Sequence, residues 1–249
     1  QYAEEAMYQH VARYLQPRFS AEIARKPSSP YSDKLTPKQI KSILNRSIVQ
    51  SERYRTMKAA GYSEDEIKAA FRKKQEMVVF TYHGDIDTLM SPLDSIRYYK
   101  SFLRSGLMSM DPKTGAVKAY VGGLDYPHFM YDMVSLGRRQ VGSTIKPFLY
   151  SLAMSNGFQP CDLAPNRQRT YMVAGRPWTP RNANHSRAGQ MVPLSWGLAQ
   201  SSNWVSAYLM SKLNPQQFVQ MLRDFGINSP DIHASMSLCL GPCEVSVSE

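Results

Sequence analysis

No stretch of this chain approaches the ~18 consecutive apolar residues that a membrane-spanning helix requires. No secretory signal is visible at the N-terminus either, where a basic segment and an apolar run should lead to a small-residue cleavage site. The opening residues QYAEEAMYQHVARYL instead carry an amphipathic pattern, with Met7, Val11 and Tyr14 on one face. The chain therefore reads as a fragment of a longer protein, cut within a helix. Cysteine is scarce, with only Cys161, Cys239 and Cys243 in 249 residues. A structural zinc site needs four ligands at suitable spacing. The five histidines (10, 83, 128, 185 and 233) are scattered, so a metal site is rejected. Cys239 and Cys243, in CLGPC, read as buried thiols. A local disulfide between them is the alternative, and it would imply an oxidising compartment. A basic arm, an Arg-rich tract, an internal repeat and a low-complexity segment are also missing. The net charge is +10, from 30 Lys+Arg and 20 Asp+Glu. That excess is spread over both halves, which gives nucleic-acid binding little support and equally suits an anionic cell envelope.

The hydrophobic fraction of 43% is ample for a packed core, and 249 residues allow one large domain or two small ones. The first third reads as helices joined by polar loops. Thr36-Pro37 places an N-cap and a first-turn proline at the head of a helix closed by Gly61. Ser63 and Glu66 have capping-box spacing for another. MVVFTYH suggests a strand, and Ser91-Pro92 opens a helix closed by Gly106. LMSMDPKTGAVKAYVGG then alternates as a β-hairpin, with DPKTG as its turn. Further helices are expected over about 143–156, 193–213 and 215–225. The polar, irregular stretch 157–192 has a length often associated with function.

Two short motifs carry chemistry. Ser143 and Lys146, in RRQVGSTIKPFLY, lie three apart at the head of an apolar segment, a spacing that puts both side chains on one helix face. Burial in PFLYSLA would disfavour the ammonium and leave a neutral amine able to take the serine proton. Pro147 requires the helix to begin close to Ser143, where helix-terminal N–H groups favour developing negative charge. Arg139 and Gln140 are placed to brace the preceding turn. Ser201 and Asn203, in SSNWVSAYL, interrupt an apolar pattern; a second hydroxyl can relay a proton, and a side-chain amide can hold a peptide carbonyl. Trp178, in the polar segment GRPWTPRN, is either core or cleft lining, while Trp196 and Trp204 read as core.

Taken with their surroundings (MDPKTGAVKAYVGG, RRQVGSTIKPFLY, WTPRNANHSRAGQMVPLSWGLAQSSN and LGPCEVSVSE, in that order), these motifs resemble the class A penicillin-binding proteins over residues 106–249. The resemblance implies an α/β fold of the α+β type, the β-lactamase/transpeptidase-like fold, with a helical subdomain and a central antiparallel sheet incomplete in this chain. Residues 1–105 resemble the linker region preceding a transpeptidase domain, and 106–249 that domain, truncated at its C-terminus. Carried over, Ser143 is the acylated nucleophile, Lys146 its base, Ser201 a proton shuttle and Asn203 a binder of the substrate backbone. The implied activity is a peptidoglycan DD-transpeptidase at the outer face of the bacterial inner membrane, in the periplasm. It would act on stem peptides, be acylated by β-lactams and need no cofactor or metal. A glycosyltransferase domain and a membrane anchor are expected elsewhere in the full-length chain. The family's third motif, Lys-Ser/Thr-Gly, should follow Ser201–Asn203. Lys113-Thr114-Gly115 precedes Ser143 and sits in the expected hairpin turn, so it reads as a decoy. The alternative function is a non-catalytic peptidoglycan-binding or scaffolding member of the family. A β-lactamase is disfavoured because 157–192 contains no Glu to serve as a deacylating base.

Overall fold

In the computed structural model, which describes residues 1–249, helix starts follow local capping chemistry. The chain separates into two compact units, Gln1–Tyr131 and Asp132–Glu249. The first opens with α1 (Tyr2–Met7), a π-helical stretch (Tyr8–Leu15) and α2 (Gln16–Ile23). Then come α3 (Pro37–Gln50), α4 (Glu52–Ala59) and α5 (Glu64–Arg72). Thr36 with Gln39, and Ser63 with Glu66, form reciprocal capping boxes. The single helix expected to run to Gly61 is in fact two. Ser51 is extended between α3 and α4, and its hydroxyl accepts from the Tyr54 N–H at 3.3 Å. A serine competing locally for backbone groups caps more readily than it continues a helix.

The expected strand is β1 (Gln75–Val79), and it has a partner that the sequence did not suggest, β2 (Ile86–Met90), in an antiparallel hairpin. Where the ladder ends, two tyrosines take over the backbone. The Tyr98 hydroxyl donates to the Phe80 carbonyl at 2.6 Å, and the Phe80 N–H donates to the Tyr99 hydroxyl at 3.1 Å. Both tyrosines belong to α6 (Pro92–Lys100). Phe80 is buried, with Phe102 and Phe129 each 5.3 Å away between ring centroids. The helix α6 stops short of Gly106 because the buried Gln16 holds the following backbone. Its amide donates to the Ser101 carbonyl at 3.0 Å and its oxygen accepts from the Leu103 N–H at 2.8 Å. Next, β3 (Leu107–Met110) and β4 (Val117–Val121) form the expected hairpin. Its turn is built by Asp111, whose carboxylate accepts the N–H groups of Lys113 and Thr114, and by Gly115 at φ +71°. Lys113-Thr114-Gly115 thus serves as turn chemistry.

The second unit contains β5 (Arg139–Gln140), a 3-10 turn (Gly142–Ile145), α7 (Lys146–Ser155), and β6 (Leu163–Pro165). There follow β7 (Tyr171–Val173), β8 (Arg176–Trp178), β9 (Met191–Pro193), α8 (Leu194–Ala199) and α9 (Asn203–Met210). It closes with α10 (Pro215–Asp224), a 3-10 turn (Met236–Leu240) and β10 (Glu244–Val245). The stretch expected to be irregular therefore holds short strands, and β6 pairs with β9 across it. Every sheet in the chain is two-stranded and antiparallel, so helices with small hairpins give an α+β structure without a central sheet. Leu149 and Ala153 of α7, Val205 and Leu209 of α9, and Phe218 and Leu222 of α10 form one core with no exposed surface. The helix expected over 193–213 is broken into α8 and α9 at Ser201, which adopts φ +51°. Phe218→Ala should cost about 3–5 kcal/mol through lost burial and a residual cavity, read as a lowered urea midpoint.

Candidate active site

The segment leading to Ser143 is held largely by backbone pairing, with Arg138 ion-paired to Glu249 at 3.2 Å. Arg139 and Gln140 pair with Val245 and Glu244. The ladder then continues irregularly: the Val141 N–H donates to the Cys243 carbonyl at 3.0 Å and the Gly142 N–H to the Gly241 carbonyl at 2.9 Å. Gly241 has φ +62°, and a Cβ on it would collide with the Gly142 backbone. CLGPC is thus a backbone clamp for the turn carrying Ser143. Its cysteines are both buried and both free, so the disulfide alternative is not realised. Ser143 lies in the 3-10 turn ahead of α7 and is exposed, and its hydroxyl makes no hydrogen bond. It stands clear of protein partners, in the position of a group that meets something from solution.

Lys146 begins α7 and is 1% exposed. The sequence suggested that Ser143 and Lys146 can reach hydrogen-bonding distance; the amine makes its hydrogen bonds to the break between α8 and α9. It donates to the Ser201 carbonyl at 2.6 Å, the Ser201 hydroxyl at 3.0 Å and the Asn203 side-chain oxygen at 2.7 Å. Those bonds use all three protons of an ammonium. Burial lowers the Lys146 pKa to about 8, opposed by the nearby Cys239 thiol. Burial pushes that thiol up to about 12, so it stays neutral beside the amine. A neutral amine keeps two N–H groups and gains a lone pair. Of its three neighbours, two are carbonyl-type oxygens that only accept. Ser201 alone can reverse its role and donate to the lone pair. The hydroxyl of Ser201 is consequently the one neighbour able to satisfy Lys146 in both protonation states, as proton relay demands.

Four of the sequence-derived residues therefore divide as follows: Lys146, Ser201 and Asn203 are brought into direct contact, and Ser143 lies three residues before Lys146, in the 3-10 turn that leads into α7. Several residues that position them were not legible as motifs. Asn182 accepts the N–H groups of Asn203 (2.7 Å) and Trp204 (3.3 Å) on its side-chain oxygen. Asn166, fully buried, accepts from the Ser202 hydroxyl at 2.9 Å and donates to the carbonyls of Ser186 and Arg187. The Asn203 amide donates to the Arg181 carbonyl at 2.7 Å, which fixes the orientation that presents its oxygen to Lys146. No regular spacing links 166, 182 and 202, so only a polar residue excess in the irregular stretch could have hinted at them. Trp204 is core, with its indole N–H on the Pro180 carbonyl at 3.1 Å. Trp178 is half-buried and packs with Tyr171, ring centroids 6.1 Å apart. No group of three or more His, Cys, Asp or Glu is arranged to hold a metal, and no helix is long and apolar enough to cross a membrane.

Two family models match the chain: the penicillin-binding protein middle domain over residues 26–103 and the penicillin binding protein transpeptidase domain over residues 105–235. Among curated proteins, penicillin-binding protein 1A of Neisseria flavescens is 35% identical over 147 residues, covering 58% of this chain and 18% of that protein. Its counterpart in Pseudomonas aeruginosa is 31% identical over 148 residues, covering 59% of this chain and 18% of that protein. The chain thus spans about a fifth of the length of these relatives. Among solved structures, penicillin-binding protein 1A from Haemophilus influenzae superposes with a TM-score of 0.54 at 28% identity, covering 57% of this chain and 21% of that one. The clamp on the Ser143 turn yields a direct test. Gly241→Ala places a side chain at positive φ and against the Gly142 backbone, and should destabilise by more than about 1 kcal/mol, measured by chemical denaturation.

Proposed function

The chain belongs to the penicillin-binding protein transpeptidase family, and from that premise we propose that it carries the acyl-transfer centre of a class A peptidoglycan DD-transpeptidase. Ser143 is the nucleophile. Its oxygen attacks the carbonyl of a D-Ala-D-Ala peptide bond, Lys146 takes its proton, and the C–N bond breaks. The departing D-Ala amine receives the proton through Ser201, leaving an ester on Ser143. An amine from a neighbouring stem peptide then attacks that ester, forms the cross-link and returns the proton to Ser143. Asn203 aligns the substrate backbone with the remaining N–H of its amide. β-Lactams acylate the same serine, whose ester persists. The observation that supports this reading above all others is the buried Lys146 amine held between Ser201 and Asn203, a few residues from an exposed serine hydroxyl.

The proposal extends to the whole protein: residues 1–105 act as a linker region and 106–249 as part of the transpeptidase domain. A glycosyltransferase domain and a membrane anchor lie in the same full-length chain, so the reaction takes place in the periplasm at the outer face of the inner membrane. A cation for the substrate carboxylate comes from residues other than Lys113, which is committed to the β3–β4 turn.

The test is covalent labelling of the complete gene product with a fluorescent penicillin. Label should appear on wild type, map to the peptide containing Ser143, and vanish in Ser143→Ala. An unlabelled wild-type protein of native fold would overturn the catalytic reading and leave peptidoglycan binding without chemistry. The pH dependence follows from the amine. Below pH 8 the ammonium dominates and cannot accept a proton, so acylation should climb as pH rises through about 8 and level off above it. A pH-independent acylation rate between 6.5 and 9.5, a window chosen to bracket that value by roughly 1.5 units on each side, would remove Lys146 as the base.

A further inference from the structure

We propose that Asn182, with Ser202 and Asn166, forms a clasp that holds the Ser201–Asn203 turn in its reactive shape, making Asn182 a positioning residue for Lys146; this rests on the acyl-transfer reading of that site. Ser201 adopts φ +51°, a left-handed conformation that a residue with a side chain takes only when its surroundings impose it. Helix α9 starts directly afterwards, and its first N–H groups lack partners within the helix. Ser202 caps from inside, accepting the Val205 N–H at 3.3 Å. The N–H groups of Asn203 and Trp204 remain, and Asn182 takes both on one oxygen from a separate segment of chain.

The amide of Asn182 then ties the two caps together. It donates to the Ser202 hydroxyl at 3.3 Å, and Ser202 passes its own proton to Asn166. Asn166 is anchored on both sides: its amide holds the carbonyls of Ser186 and Arg187, while its backbone pairs with Gln190 and Gly189. The neighbouring Arg181 contributes only its carbonyl to the turn, as the acceptor that orients Asn203. The stretch between β8 and β9 is thereby fastened to the residues that hold the amine. The N–H groups of Asn203 and Trp204 and the side-chain amide of Asn203 all donate to this stretch, and no residue of the clasp touches the amine itself. Burial keeps the neighbouring Cys239 thiol neutral, so it brings no fixed charge to Lys146. A charge introduced at 182 would therefore face little competition.

The experiment compares Asn182→Ala and Asn182→Asp with wild type in the complete gene product. It measures the second-order rate of penicillin acylation against pH, together with hydrogen exchange at the amides of Asn203 and Trp204. Asn182→Ala removes the acceptor, so both amides should lose protection and acylation should fall by about 10²-fold, the scale set by misplacing a reacting group by an ångström. Asn182→Asp keeps a side-chain acceptor for those N–H groups, gives up the amide donor to Ser202, and adds a carboxylate one hydrogen bond from the Asn203 backbone. It should regain protection and most of the high-pH rate, with its pH profile displaced upward because the added anion favours the charged amine. Wild-type rates, profile and protection in Asn182→Ala would overturn the clasp. If Asn182→Ala fails to fold, Asn182→Asp decides: an unshifted profile overturns the proposal. If wild type itself is never labelled, the acyl-transfer reading falls. Loss of amide protection confined to 203 and 204 still upholds the clasp in that case, and unchanged protection removes it.

Discussion

A lysine amine that reaches the interior at 1% exposure must find an oxygen for each of its three protons, since an unpaired buried charge costs several kcal/mol. Much of the second unit answers to that demand. Lys146 comes from the first residue of α7, and the oxygens come from the turn between α8 and α9. To aim a backbone carbonyl, a hydroxyl and an amide oxygen at one point, the chain has to leave helical geometry. Ser201 accordingly takes a left-handed conformation, and what might have been one long helix becomes two.

The same arrangement divides labour among the polar groups. Two carbonyl-type oxygens hold the ammonium and can only accept. The Ser201 hydroxyl can hold the ammonium as an acceptor or the free amine as a donor. Burial favours the free amine and lowers the pKa to about 8, near the pH at which a general base is useful. Ser143 stays outside this network, exposed and unpartnered, on a turn fixed by the close backbone approach of Gly142 and Gly241. In the proposed reaction that leaves the hydroxyl free to attack without first breaking a bond to the interior.

In the first unit, local signals governed the outcome wherever a side chain could act on its own backbone. Thr36 with Gln39 and Ser63 with Glu66 are examples, as is Asp111, which turns DPKTG into a hairpin end. The signals misled where a distant residue intervened. Gly106 looked like the stop for α6, yet Gln16, far upstream in sequence, satisfies the backbone at Ser101 and Leu103 and ends the helix earlier. Ser51 carries a weaker signal: a serine after an apolar stripe is as good a new cap as it is a helix residue. The strand β2, with Asp87 and Thr88 in it, owes its conformation to pairing with β1, since its own sequence has no clear alternation.

Ser143, Lys146, Ser201 and Asn203 could be picked out in the linear chain because their side-chain types are chemically unusual at the edge of apolar helices, and because their order and surroundings resemble a known family. The capping boxes, the β3–β4 hairpin and the idle role of Lys113-Thr114-Gly115 were equally legible, being settled by neighbours within a few residues. What the amine touches was decided only by tertiary structure. A lysine side chain spans several ångströms and can point along its own helix toward Ser143 or across to another. In the folded chain its hydrogen bonds go across to the Ser201 and Asn203 oxygens. The contributions of Asn166, Asn182 and Gly241 were likewise invisible in one dimension, because each acts through a backbone group far away in sequence that the fold alone brings within hydrogen-bonding distance.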